Sequence, residues 1–535
     1  PIANQNSNNT SCYLYLSTNT SNPFKVEIYN NNFLLQTIQL SKGTPVTIPI
    51  NSDLMNTDPN DDTDLNKPVK KGLHLVGEKK FFAHYRFSLE NHAEILSSKG
   101  KAGIGNNFFV VAPINRVKNN ITNSTFGILA TEDNTTVKIY GYNPNITFFG
   151  LTPTPSQITV NLNKSESYIA SLLSESDENL KGFIGTSIES DKPISLTNGS
   201  FNGMYSPNTP TSSSDILMDQ AIPIDRLGNE YIIMSGYGSI SPSNNMMEEV
   251  IILATEDNTE IFLNNETTPF TTLNKGQFTI INDATDGSEG KYYVKKNGDA
   301  YTMYINSNKN VYVYQLLAGV PNSYATGGYN IVPPLNCLLP NKIEEFALID
   351  QIGNSRYNVK MNIIAEKGAH VSMNGTLIST IFGPYPVDGN NQWETYSIPN
   401  VTENVTISAD KAVTAGIAAG SQNVGFGGYF AGFNSNPIIS KGGDCNRNNI
   451  TLEVDDTYDS YQWYYNGNPY TGIGADTYII SPTESGEYFV KIVKIGCGTL
   501  DSPTFDYLKC PLKTNITTDI SNCKPNYTTP IPVFT

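Results

Sequence analysis

The word ILATEDNT stands at 128–135 and again, letter for letter, at 252–259. A repeat of eight identical residues constrains the fold more than any other feature, because duplicated words mark duplicated supersecondary units. Each copy reads as an apolar run, a polar turn and then alternation: TVKIYGYNP after the first, EIFLNNETT after the second. Val137 with Ile139, and Ile261 with Leu263, keep the period of a half-buried strand. Asp-Asn and Asn-Thr supply turn chemistry, so each word predicts a β-hairpin. Looser copies lie at NIIAEKGAHVSMNG (362–375) and YLYLSTNTSNPFKVEIYN (13–30).

A second word follows each of these. It is VGEKKFFAHYRFS around Lys79, IESDKPISLTNGS around Lys192, INSNKNVYVYQLLAG around Lys309 and ISADKAVTAGIAAG around Lys411. The lysines recur about every 110 residues, so four units cover roughly residues 10–435. Between the two words comes an alternating strand with an L-x-K-G/S flavour, as in SQITVNLNKSESYIAS and FTTLNKGQFTIIN. The lysine is read as a strand-start residue in a turn, not as a reactive group. The fold class expected is all-β: four pseudo-repeated antiparallel units, sandwich- or blade-like, at about 10–115, 116–235, 236–340 and 341–435. An immunoglobulin-like sandwich (436–510) and a tail (511–535) follow.

Composition agrees. The 535 residues include 31 Tyr, 42 Gly and 31 Pro but only 16% charged residues, which suits strands and turns. The net charge of −16 argues against nucleic acid, whose phosphates demand a clustered basic surface, and against docking on anionic lipid. No apolar stretch has the length of a membrane span. The chain opens at Pro1 without a basic and apolar leader, which leads to the expectation of a processed or trimmed chain. Four of the six cysteines, Cys445, Cys497, Cys510 and Cys523, crowd the C-terminal end and predict disulfides in an exported protein; Cys12 and Cys337 are left unassigned.

The second unit runs ATEDNTTVKIYG, ITVNLNKSESYIAS, GFIGTSIESDKPISLTNGS and DILMDQAIPIDRLGNEYII. This series resembles the N-terminal domain of the IgGFc-binding protein family. The matching residues are Thr131, Glu132, Asp133, Asn134, Thr135, Lys192, Pro193, Gly199, Asp215, Asp219, Gln220, Pro223, Gly228 and Tyr231. Where that family places Cys and His around the Asp, this chain has Ser214, Asp215 and Ile216, so a family disulfide is absent there. The resemblance implies an extracellular, non-enzymatic adhesion or binding module. It does not by itself imply binding of an Fc region.

Past residue 440 the character changes. Cys445, Trp463 and Cys497 come in immunoglobulin-like order, and YQWYYNGNP reads as a strand with its Trp inward before an Asn-Gly turn. Tyr488 occupies the place of a corner tyrosine, but Val490 stands where the second cysteine belongs, so no standard inter-sheet disulfide is expected. Cys445–Cys497 is read as a clip on terminal strands and Cys510–Cys523 as a tail closure. The stretch resembles the immunoglobulin-like modules of type IX-secreted surface and gliding adhesins of Bacteroidota. A C-terminal signal of that system is expected to have been cleaved or left out after TTPIPVFT.

Reactive chemistry is scarcely signalled. The four histidines, His74, His84, His92 and His370, have no metal-ligand spacing beyond what strands give by chance. The glycines of KGKAGIGNNFF lack the strand-to-helix context of a phosphate loop. HAEILSSKG is read as a helical turn or another strand. Calcium is the one candidate ion, because Asp58, Asn60, Asp62 and Asp64 alternate as oxygen ligands do in a calcium loop. Thr63 replaces the glycine and Val69 the final glutamate, which excludes an EF-hand. No cofactor is required otherwise.

The function expected is therefore a secreted or surface-displayed, non-enzymatic adhesin whose partner is an extracellular glycan or a cell-surface or outer-membrane protein. The loops NGSFNGMYSPNTPTSSSD and GYGSISPSNNMM are the candidate contact surface, with Phe201, Asn202, Tyr205, Tyr237, Asn244 and Asn245 as contact residues. Two alternatives stand beside it: a structural part of a large secretion or gliding assembly, and a glycan-active enzyme, which needs two carboxylates about 5–10 Å apart.

Overall fold

The computed structural model describes residues 1–4, 11–58, 62–89, 91–205, 214–238, 248–282, 291–297, 300–321, 327–422, 424–433, 437–443 and 449–509. Strands account for 53% of the chain and helix for 4%, so the fold is all-β. Two compact units divide it, Pro1–Asn436 and Pro437–Thr535.

Four antiparallel sheets dominate the first unit. The first has the order Val46–Ile50, Ser11–Ser17, Phe82–Leu89, His92–Ser97. In the second, Thr135–Tyr140 and Asn123–Ala130 both pair with the long strand Ser187–Gly203. In the third, Thr259–Leu263 and Glu249–Ala254 both pair with Tyr301–Ala318. The fourth runs Tyr385–Val387, Asn390–Ile398, Asn358–Glu366, Val413–Ser421, Val424–Tyr429. HAEILS is thus a strand, followed by a short 3-10 turn at Gly100–Gly103.

The pairing corrects the hairpins expected at the repeated words. The strands on either side of TEDNT do not bond to each other; they straddle the long strand that arrives later in the chain. The turn between them is held from outside. Asn134 and Asn258 take left-handed φ of 54° and 55°, which asparagine tolerates. Lys164 N–H donates to Asp133 Oδ1 at 3.0 Å, and Lys275 N–H to Asp257 Oδ1 at 3.0 Å. The Lys192 ammonium donates to the Asp133 carbonyl, Lys309 to that of Asp257 and Lys411 to that of Lys367. All three recurring words therefore meet at one place, and the lysine does structural work there.

Each long strand of the four sheets turns back into an inner strand: His92–Ser97, Asp215–Gln220, Gly327–Ile331 and Val424–Tyr429. The first packs on the second, the second on the third, the third on the fourth and the fourth on the first. The four sheets therefore close a ring. Strands such as Glu249–Ala254 are buried at every residue because sheets lie against both faces, which explains apolar runs without alternation.

The second unit has a five-stranded sheet centred on Ser460–Tyr465 and Gly486–Lys494, and a three-stranded one, Ser440–Gly442, Thr451–Glu453, Ile479–Ile480. Trp463 is fully buried and its indole N–H donates to the Thr477 carbonyl at 2.8 Å. The Tyr488 hydroxyl donates to the carbonyl of Glu484 at 3.1 Å, a local corner bond.

Candidate functional site

The interior of the ring is charged. Glu94 lies among the four inner strands, and its carboxylate accepts the N–H of Met218 (3.4 Å), Tyr329 (3.2 Å) and Gly427 (3.4 Å), one from each of the other three. Asp219 accepts from the Lys99 ammonium and from Ile331 N–H, at 3.0 and 3.1 Å. Asp215 accepts from Gly327 N–H at 2.8 Å and faces His92 at 3.3 Å. Glu248 accepts the N–H groups of Gly236, Gly238 and Ala318. Desolvation raises all four carboxylates: Glu94 well above its ordinary range, Asp219 upward despite Lys99, Asp215 to about 6 and Glu248 to about 7. These groups are spent on tying strands together. Asp215, Asp219 and Gln220, residues of the family pattern, are such ties, and so is Tyr231, whose hydroxyl donates to the Val311 carbonyl at 2.6 Å.

The expected contact residues fare unevenly. Phe201 is 1% exposed and stacks on Phe87 with ring centres 6.0 Å apart. Asn202 is buried and gives its side-chain amide to the Ile121 carbonyl at 2.7 Å. Tyr205 is buried too. These three were expected at a loop surface; the strand continues to Gly203 and takes Phe201 and Asn202 inward, and Tyr205 is buried just past its end. Tyr237 is half-buried, with the Lys360 ammonium 5.6 Å from its ring centre. Asn244 and Asn245 lie outside the described residues, as do Asn60, Cys445, Cys510 and Cys523. Asp64 pairs with Lys71 at 3.0 Å, and Asp58, Asp62 and Asp64 do not gather as a metal-holding group of three among the described residues. Cys497 and Cys337 are both disulfide-bonded. Cys12 is a buried thiol pushed up to about 11 by desolvation.

The groove that the sequence did not flag lies between the third and fourth sheets. Glu230, Asn265 and Tyr304 line one side; Val387, Asp388, Gly389, Asn390, Asn391 and Gln392 line the other, around about 560 Å³. That volume falls within the range of about 300–1,000 Å³ usual for small-molecule sites. Tyr304 and Val387 belong to an apolar cluster with Ile232, Leu335 and Trp393. The 388–392 turn is fixed from both sides. Asn390 Oδ1 accepts the N–H of Gln392 (2.8 Å) and Trp393 (3.2 Å), while its amide donates to Glu230 Oε2 at 3.4 Å. Lys296 of the third sheet region pairs with Asp388. Gly389 has φ of 84°, and a Cβ there would overlap the Asn264 carbonyl. Asn264 in turn bonds the backbones of Tyr304 and Tyr292. Burial raises the Tyr304 phenol, which keeps it a neutral donor. The signal that could have found this groove is the polar run DGNNQ next to Trp393.

Among solved structures, the chain is similar to trypsin-activated alpha-2-macroglobulin from Escherichia coli, at 9% identity over 95% of this chain and 48% of that one, with a TM-score of 0.12. It is also similar to the N-terminal eight Ig domains of Down Syndrome Cell Adhesion Molecule, at 8% identity over 94% and 70% of the two chains, with a TM-score of 0.10. The chain spans about half the length of the first, and neither likeness carries an argument at such scores. No curated protein matches. A family model described as IgGFc binding protein matches residues 94–419, more than half of the chain, and the chain belongs to that family.

Proposed function

We propose that this is a non-enzymatic adhesin of the cell surface whose scaffold is four copies of one sheet unit followed by an immunoglobulin-like module. The family match supports a binding role. The same straddled pairing around a long strand in the second and third sheets supports descent by duplication. The disulfide-bonded Cys337 and Cys497 suit an oxidising compartment, and a type IX-exported protein of Bacteroidota is the context proposed from the C-terminal words. The observation that carries the reading is the groove at the 230–392 seam: the backbone of its 388–392 turn is fixed before any ligand arrives, which lowers the ordering cost of binding.

The test is retention on intact cell envelopes. Labelled protein is expected to bind saturably and to be displaced by unlabelled protein. Linear, non-saturable retention on every envelope tried would remove the adhesin reading. Calcium is examined separately. Millimolar calcium raises the melting temperature if the loop of Asp58, Asn60, Asp62 and Asp64 ligates it, with Lys71 as the competitor already on Asp64; identical melts in calcium and in chelator reject that site.

A further inference from the structure

We propose that the seam groove holds a neutral, hydroxyl-rich sugar segment, a ligand assignment that rests on the adhesin reading above. Three side-chain amides, Asn265, Asn391 and Gln392, line the groove, are exposed, and make no side-chain hydrogen bond among the described residues. Each offers a carbonyl acceptor and an N–H₂ donor, while the Glu230 carboxylate, already bonded to the Tyr304 phenol, keeps further acceptor capacity. Neighbouring hydroxyls of a sugar both donate and accept. A carboxylate oxygen can take a proton from one while an adjacent amide N–H₂ donates to the next.

Charge selects among sugars. Asp388 is matched by Lys296, whereas Glu230 meets only neutral partners, the Asn390 amide and the Tyr304 phenol, which leaves the groove with one negative charge not answered by a cation. The whole chain carries −16. Sialylated, sulfated or uronic segments are therefore disfavoured by like-charge repulsion from Glu230. The preset 388–392 turn means that little ordering is required on binding.

The probe is an array of immobilised neutral and anionic oligosaccharides, followed by titration calorimetry with the best retained free glycan. Neutral glycans alone are expected to be retained. Asn265→Ala combined with Gln392→Ala is expected to weaken binding about tenfold or more, since two hydrogen-bonding groups are lost. These side chains hold nothing else in place through hydrogen bonds, so an unchanged far-UV spectrum and melt will accompany the loss. Preference for anionic glycans, binding that the double variant leaves intact, or release of new reducing ends would each overturn the assignment. Saturable envelope binding with no glycan retained would also overturn it, while leaving the adhesin reading standing.

Discussion

A buried carboxylate is expensive unless something answers it. In the ring interior the answer is mostly backbone N–H, with the Lys99 ammonium on Asp219 and with His92 and Lys360 facing Asp215 and Glu248. This makes stability depend on pH in a defined direction. Asp215 titrates near 6 in the fold against 3.8 ordinarily, and Glu248 near 7 against 4.5. Between those values the folded chain holds protons that the unfolded chain has released, so stability is full below about pH 4 and falls as pH rises through about 6 to 7. The melting temperature is expected to be higher at about pH 5 than at about pH 8, and Asp215→Asn with Glu248→Gln should flatten that slope. A melt that rises across the window would show that these acids are ionised in the fold. None of this was legible in the sequence, because Glu94 sits in HAEILS like any polar residue on a strand, and only the ring gives it three strands to serve.

At the scale of the element, strand existence was legible from alternation at Val137–Ile139 and Ile261–Leu263, and the all-β class followed. Partnering was not. A turn such as TEDNT looks the same whether its flanking strands pair or straddle a third, since the deciding strand lies some 50 residues further on. The recurring lysine was read as a strand-start residue in a turn; Lys192 and Lys309 lie instead within long strands, and their target, the carbonyl inside the other word, needed coordinates. Inner strands also depend on glycine for close approach. A Cβ on Gly328 would overlap the backbone of Phe426 and Gly427. Gly328→Ala is expected to cost about 1–3 kcal/mol in chemical denaturation, because backbone cannot yield as a flexible side chain can. A cost near zero would mean that the third and fourth inner strands do not approach as described.

For the whole molecule, the family was legible in words that span the second unit, and the ring was not, because closure is a contact between the chain's beginning and its far end. Arg86, fully buried, donates to the carbonyls of Ala347 (2.7 Å), Leu348 (2.6 Å) and Gln351 (2.8 Å) and lies 3.9 Å from the ring centre of Tyr15. Arg86→Met removes those donors and leaves three carbonyls wanting partners. A loss of about 3 kcal/mol is expected in denaturant melts, with earlier protease cleavage near residue 350; unchanged protection there would count against the staple.

The same staple has a temporal side. Sequence separations of 261 to 265 residues mean that no ribosome-bound or translocating intermediate can make it until most of the first unit has emerged. Three sheets must wait, edges uncovered, for the fourth. Contacts so distant along the chain slow maturation, and that interval is when a chaperone, or a neighbouring nascent copy, has its best opportunity to capture the protein.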